Sequence, residues 1–282
     1  MLHWAGKFRH WEVLKLLVEK NADVEAKDKY GCTVLHYVAY KQWEDVAATA
    51  SQRWEVVKWL VEKKGGVNLK EKYGRTVFHF AAEDKQWGII KWLIEEKNAD
   101  VEEKDEDDQT LLHYAATHQQ WDAVYWLIEK VNADVNAKDK YGQTILHYAV
   151  LSKQWDLVKW LIGEKNADVN AKIQGFGTVL HYAARSGQLG VVQWLVETRN
   201  ADLNSVNDYH QTVLDAAAIY EEWDVVKWLV EKNLDINAEG DRKKKLPHIA
   251  AGCGKWEVVK WLVENGAEID QLSMDIPLKV AA

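Results

Sequence analysis

The sequence predicts an all-α fold, an α-solenoid in which short helix-turn-helix repeats stack on one another. Three observations support this prediction. A phrase of the form YGQTILHYAV recurs about every 34 residues, each copy contains two apolar stretches at helical spacing, and short polar connectors separate the copies. Because one helix pair cannot bury its apolar faces alone, stacked neighbours must supply the core.

The repeat register makes the 282 residues one array rather than the two domains that length alone suggests. A single slot of the phrase recurs through the whole chain and is held by His3, His36, His79, His113, His147, His181, Asp215, His248 and Lys279. An insertion at 44–53 lengthens one unit. The predicted units are 1–27 (partial), 28–70, 71–104, 105–138, 139–172, 173–206, 207–239, 240–270 and 271–282 (partial).

Each unit is predicted to begin with a short helix. In the fifth unit Leu146, Ala149 and Val150 form an i, i+3, i+4 stripe, and Thr144 precedes it as an N-cap. His147 is expected to hydrogen-bond to backbone and brace the turn. Shared metal coordination is disfavoured because the histidines lie one repeat apart, roughly 10 Å in a helix stack.

A turn and a second helix complete the unit. Lys85 and Lys153 hold a turn slot where positive φ is expected, at about 1 kcal/mol each. The second helix carries Leu157, Val158 and Leu161 on its buried stripe. It should end at a left-handed C′ residue, because this column is held by Asn21, Asn98, Asn132, Asn166, Asn200, Asn233 and Gly266. The connector that follows reads as a short hairpin or turn.

This pattern resembles the ankyrin repeat over essentially the whole chain. The signature T-P-L-H-x-A is matched at Thr144, Leu146, His147 and Ala149, and the ADVNA connector at 133–137 and 167–171. Valine, leucine or isoleucine replaces the signature proline in most units, which should weaken the first helices slightly without changing the fold. The resemblance implies a non-enzymatic module that binds a protein or peptide on a concave face and at its hairpin tips.

Composition disfavours other classes of protein. There are 36 Lys and Arg against 44 Asp and Glu, so a nucleic-acid-binding face is not expected. No apolar stretch is long enough to predict a membrane span. Cys32 and Cys253 suggest no disulfide framework, which favours a reducing, cytoplasmic location. Serine-histidine-acid, phosphate-loop, HExxH and CxxC patterns are missing, so neither a catalytic residue nor a metal or cofactor is expected.

Tryptophan fills two columns of the repeat. One lies at the turn between the helices and comprises Trp11, Trp54, Trp87, Trp121, Trp155, Trp223 and Trp256. The other lies on the second helix and comprises Trp59, Trp92, Trp126, Trp160, Trp194, Trp228 and Trp261. Two interpretations stay open: rings that seal one repeat against the next, and an exposed stripe that binds a partner.

A third aromatic column is the main candidate for partner binding. It comprises Trp4, Tyr37, Phe80, Tyr114, Tyr148 and Tyr182. Each lies two residues after the buried leucine-type slot, about 200° round the first helix, and is therefore expected to point away from the second helix, on the concave side. The alternative is that these rings pack on one another. The hairpin tips add Tyr30, Tyr73 and Tyr141, an acidic site at Asp105, Asp107 and Asp108, and a basic run at Arg242 to Lys245.

Three further expectations concern modification, the insertion and the chain ends. The resemblance implies that Asn136 and Asn170 are substrates of an asparaginyl hydroxylase. The insertion at 44–53 is helix-compatible and either lengthens the first helix of its unit or caps a groove edge. Because both chain ends lack polar capping repeats, the chain is expected to self-associate through them or to be the repeat segment of a larger effector or toxin.

Overall fold

The computed structural model describes residues 1–40, 47–173, 175–238 and 245–269. Within these ranges the chain forms sixteen helices. They are α1 (Leu2–Lys7), α2 (Trp11–Glu19), α3 (Val34–Ala39), α4 (Ala47–Glu62), α5 (Val77–Glu83), α6 (Trp87–Lys97), α7 (Leu111–Thr117), α8 (Trp121–Lys130), α9 (Ile145–Leu151), α10 (Trp155–Glu164), α11 (Val179–Arg185), α12 (Leu189–Arg199), α13 (Val213–Ile219), α14 (Trp223–Glu231), α15 (Leu246–Gly252) and α16 (Trp256–Glu264).

The helices form eight pairs in the described part of the chain, each a short helix followed by a longer one, which confirms the predicted repeat. Two compact units are present, Met1–Ile145 and Leu146–Ala282. In the first, α1, α3, α5 and α7 pack on one another in order, and in the second α11, α13 and α15 do the same. The core consists of the apolar stripes predicted from the sequence, for example Leu157, Val158 and Leu161. Whether all 282 residues act as one array stays a prediction.

Short-range backbone chemistry sets both ends of the helices. Thr76 caps α5 in a capping box with His79, and the same box recurs at the other threonine N-caps Thr33, Thr110, Thr178 and Thr212. At the opposite end, all six asparagines of the predicted stop column adopt positive φ, between 51° and 63°. Lys85 and Lys153 also have positive φ, 56° at each, as predicted for the turn.

The connectors are tight turns, with one short exception in the described residues. In the compact unit Leu146–Ala282, Lys172–Ile173 (β1) pairs antiparallel with Gly177–Thr178 (β2). Lys172 faces Thr178, and Ile173 faces Gly177. We expected hairpins or turns, and in the described residues most connectors are turns. Among the described helices, none has the length and apolar character that a membrane span requires.

The insertion lengthens the second helix of its unit, so the alternative in which it lengthens the first helix is wrong. α3 ends at Ala39, whereas α4 begins at Ala47 and runs for sixteen residues. The physical reason is an anchor at the end of the insertion. Arg53 is fully buried and forms an ion pair with Asp84 of the next repeat, and the indole of Trp54 donates to the same carboxylate at 2.7 Å. Residues 44–46 lie outside the described ranges.

Candidate functional site

Four hairpin tips owe their shape to one acidic or amide side chain in the connector. Asp139 accepts the backbone N–H groups of Tyr141 and Gln143 at 2.9 and 2.8 Å. Asp28, Asp105 and Asn207 make the same pair of bonds two and four residues downstream. This column was missed from the sequence, although an acidic or amide residue two positions before the tip centre is its signal.

Backbone hydrogen bonds join successive tips of the unit Met1–Ile145. The amide of Lys72 donates to the carbonyl of Tyr30, Glu106 donates to Tyr73, and Lys140 donates to Asp107, each at 2.8 Å. We call residues 29–31, 72–74, 106–108 and 140–142 the tip row. Because each tip is fixed both to its own connector and to the next tip, the row is held by backbone geometry.

Three exposed tyrosines lie along the tip row. Tyr30, Tyr73 and Tyr141 have exposed fractions of 48%, 42% and 58%. The ammonium of the preceding lysine lies over each ring, at 4.9 Å from the centroid for Tyr30, 5.3 Å for Tyr73 and 5.0 Å for Tyr141. Each of these three tips therefore presents an exposed ring with a lysine ammonium beside its face.

The acidic tip interrupts this pattern, and its three aspartates do different things. Asp107 lies in the slot of the tip tyrosines and forms an ion pair with Lys140. Asp108 is exposed, with φ 57°. Asp105 is half-buried and holds the tip together, because Oδ1 accepts the amides of its own tip and Oδ2 accepts the hydroxyl of Tyr114 at 2.8 Å. That Asp105 also contacts a partner stays a prediction.

Two members of the aromatic column on the first helices are internal. Phe80 and Tyr114 are only 3% and 8% exposed, so the prediction that they contact a partner is wrong. The reason is the preceding repeat. Its histidine packs edge-on against the column residue, with centroid distances of 6.1 Å for His36 and Phe80 and 5.1 Å for His79 and Tyr114.

The remaining members of the column are more open. Tyr37 is half-buried and donates to Asp28 at 2.6 Å, and Tyr148 and Tyr182 are also half-buried. Trp4 is 68% exposed and stacks on Phe8 at 4.9 Å. Burial pushes the pKa of Asp28 upward, but hydrogen bonds from Tyr37 and two tip amides outweigh it and leave the pKa below its ordinary value.

The histidines brace the turns, as expected from the sequence. In the second repeat Nδ1 of His36 accepts the backbone N–H of Thr33 at 3.0 Å, and Nε2 reaches the carbonyl of Leu69 at 2.9 Å. His113 and His181 repeat both contacts. Burial lowers the pKa of each of these histidines, and that of His79 to about 4. A ring with Nδ1 accepting and Nε2 donating must be neutral.

Comparison with known families identifies the repeat. A family model described as ankyrin repeats (3 copies) matches residues 45–139, 87–173 and 180–273, and a second, described as ankyrin repeats (many copies), matches residues 2–48 and 152–196. The chain belongs to the ankyrin repeat family. Ankyrin repeats are generally protein–protein interaction modules. A search of curated proteins found no significant match.

The repeated tryptophans of this ankyrin repeat chain are not part of the family signature. Those at the turn between the two helices pack neighbouring repeats together. The indole of Trp54 reaches Asp84 in the next repeat, and that of Trp87 donates to Gln120 of the next turn at 3.2 Å. The rings of the second-helix column are half-buried rather than exposed. A lysine or arginine near the helix end covers several of them, with Lys165 4.8 Å from the Trp160 centroid. The geometry favours the packing interpretation.

The two candidate asparagines of the ankyrin connectors have different environments. Both are exposed. Oδ1 of Asn170 accepts the amide of Asp202 in the next connector at 3.0 Å. The backbone amide of Asn136 donates to Asp134 at 2.9 Å. The predicted basic run at 242–244 lies outside the described ranges, and Lys245 pairs with Glu268.

Proposed function

We propose that this chain is a non-enzymatic interaction module that binds a protein or peptide through the tip row. The observation that carries the proposal is the set of exposed tyrosines held by a backbone ladder. Tyrosine supplies a large contact area with few rotatable bonds, so little side-chain entropy is lost on binding. Because the tips are already fixed to one another, a partner would not have to order them.

The charges of the tip row give such a partner an orientation. Lysines accompany Tyr30, Tyr73 and Tyr141, whereas the third tip carries Glu106, Asp107 and Asp108. Asp107 is already paired with Lys140, so Glu106 and Asp108 are the acids left for a partner. A complementary surface would place acidic groups opposite the first two tips and a basic group opposite the third.

The proposal is tested by purifying the tagged chain, with its bound proteins, from cells that naturally produce it. The test variant is Tyr73→Ala/Tyr141→Ala. The control is Glu95→Ala/Glu129→Ala, which changes two exposed second-helix positions of the compact unit Met1–Ile145. We expect a specific partner that the control retains and the test variant loses, with an affinity loss of about tenfold or more. Equal retention by both variants, with intact folding, would contradict the tip-row proposal.

We propose a second candidate role, in which Asn136 and Asn170 are substrates of an asparaginyl hydroxylase. Both side chains are exposed in the connectors between helices, and Oδ1 of Asn170 also accepts the amide of Asp202. Mass spectrometry of native material should show the mass of one added oxygen on the peptides that contain these asparagines. Unmodified Asn136 and Asn170 would argue against this role.

A further inference from the structure

The unit Leu146–Ala282 contains a small pocket between neighbouring repeats that the tip row does not include. It has a volume of about 250 Å³ and lies between α11, α13 and the connectors that precede them. We call it the Arg185 pocket, and its exposed rim is Phe176, Tyr209, Ile219 and Tyr220. These four side chains are between 38% and 57% exposed, an unusual concentration of apolar surface in one place.

Arg185 is held in this pocket by aromatic rings. Its guanidinium carbon lies 4.2 Å from the ring centroid of Tyr220, 5.2 Å from that of Phe176 and 5.4 Å from that of Tyr182. Ring faces attract a cation but do not accept its N–H groups in a bidentate pair. Within the described residues no carboxylate pairs with Arg185, and its planar set of donors is already oriented.

A second arginine, Arg75, shows which kind of partner Arg185 lacks in the described residues. Arg75 also lies over aromatic rings, 4.6 Å from the centroid of Phe80 and 5.7 Å from that of Tyr73. It is paired with Glu71 at 3.2 Å and with Glu83 at 3.5 Å. The helix position of Glu83 is held by Arg185 itself in the later repeat, and Ile173 stands where Glu71 stands. The chain therefore neutralises one ring-stacked arginine internally and leaves the other without that complement.

The other polar groups around the pocket are committed. His181 bonds to the carbonyl of Gln211 at 3.2 Å, and Asn207 accepts two tip amides. Asp208, next to the lining residues in sequence, accepts the amide of Gly175 at 2.6 Å. The lining residues include no aspartate or glutamate, so Arg185 is the one fully charged side chain that faces the space.

We propose that the Arg185 pocket binds a side-chain carboxylate of an acidic peptide segment in a partner protein. The carboxylate would form a bidentate pair with the guanidinium, and an apolar neighbour in the peptide would pack on Tyr209 and Ile219. The pocket is smaller than the 300 to 1,000 Å³ typical of small-molecule sites, which favours one inserted side chain over a whole ligand. This inference deepens the proposed role in protein binding but uses a different surface.

The test uses a phage library of random short peptides selected on the full chain. Enriched peptides are synthesised with their acidic residues and with each Glu→Gln or Asp→Asn, and affinities are measured by fluorescence anisotropy. The protein variants are Arg185→Gln, Arg185→Lys, which keeps charge but lacks the planar fork, and the control Arg199→Gln, which removes a ring-stacked arginine over Trp194 in the same unit.

We expect acidic peptides that lose about tenfold or more in affinity with Arg185→Gln, somewhat less with Arg185→Lys, and little with Arg199→Gln. Neutralising one acidic residue of the peptide should cost as much as Arg185→Gln, and the two changes together should cost little more. Enriched peptides that Arg185→Gln binds as well as the wild type would overturn the pocket proposal while leaving binding at the tip row intact. If the library yields no binder, the pocket proposal fails, and the native purification described above still decides the tip-row proposal.

Discussion

The hydroxyl of Tyr114 donates a hydrogen bond of 2.8 Å to Asp105, the carboxylate that also accepts two amides of the acidic hairpin tip. Tyr37 makes the same bond to Asp28 in an earlier repeat. A side chain of the first helix thus fixes the tip of its own repeat. The shape of the tip row therefore depends on the first-helix tyrosines that bond to the tip aspartates.

Removing this hydroxyl should destabilise the chain. Tyr114→Phe keeps the ring packed on His79 but leaves an oxygen of Asp105 without its donor, so we expect the free energy of unfolding to fall by about 1 kcal/mol. Urea denaturation measures it. Tyr141→Phe, an exposed tip position, is the control and should change little. Equal stability of the two variants would mean that the bond to Asp105 contributes nothing.

Replacing the strained turn lysines by glycine should stabilise the chain. Lys85 and Lys153 have φ 56°, a conformation that Gly187 and Gly254 adopt in the same slot. Lys85→Gly and Lys153→Gly should each raise the free energy of unfolding by about 0.5 to 1 kcal/mol. Lys159→Gly, inside α10, should lower it by about 1 kcal/mol. A loss of stability at both turn positions would contradict the strain argument.

The anchor at the end of the insertion should be sensitive to loss of one charge. Asp84→Asn removes the carboxylate that pairs with the buried guanidinium of Arg53, and we expect a loss of about 3 kcal/mol in unfolding free energy. The double variant Arg53→Gln/Asp84→Asn should recover part of it, because the buried positive charge is removed as well. Thermal and urea unfolding of the single and double variants measure this. A double variant less stable than the single one would contradict the account.

Stability should fall as the pH drops through the range where the unfolded histidines become protonated. Burial lowers the pKa of His79 from 6.5 to about 4, so the unfolded state binds more protons between those values. The free energy of unfolding therefore keeps its full value above pH 6.5 and falls toward pH 4. For His79 alone, the loss at pH 5 is about 2 kcal/mol.

The control for the pH effect compares slopes rather than absolute stabilities. His79→Gln should be less stable at pH 7 but should lose less on going from pH 7 to pH 5 than the wild type. Identical slopes for His79→Gln and the wild type would mean that His79 does not titrate differently in the folded state.

Local features of the fold could be predicted from the sequence because they depend on neighbouring residues. The Thr144 slot before the first helix, the asparagine stop at Asn166 and the positive φ of Lys153 all follow from the preferences of one residue or one helical turn. The histidine brace was predicted for the same reason. Its partner, a carbonyl in the following connector, repeats with the array and so needs no long-range information.

The candidate site was predicted less completely because burial depends on the adjacent repeat. Helical angles place Phe80 and Tyr114 away from the second helix, but they do not show that the preceding histidine covers them. The tip tyrosines Tyr30, Tyr73 and Tyr141, by contrast, are exposed. Arg185 was missed because it is distinguished by having no carboxylate partner in the described residues. This difference is recognised only when its three-dimensional contacts are compared with those of Arg75, which has two such partners.

Photo-crosslinking from the tip row tests the central proposal most directly. Benzoylphenylalanine placed at Tyr73, and separately at Glu95 on the second helix of the same repeat, is irradiated in cells that naturally produce the chain. The account predicts a crosslinked partner protein from position 73 that is missing from position 95. Crosslinks from position 95 without any from position 73 would contradict binding through the tip row.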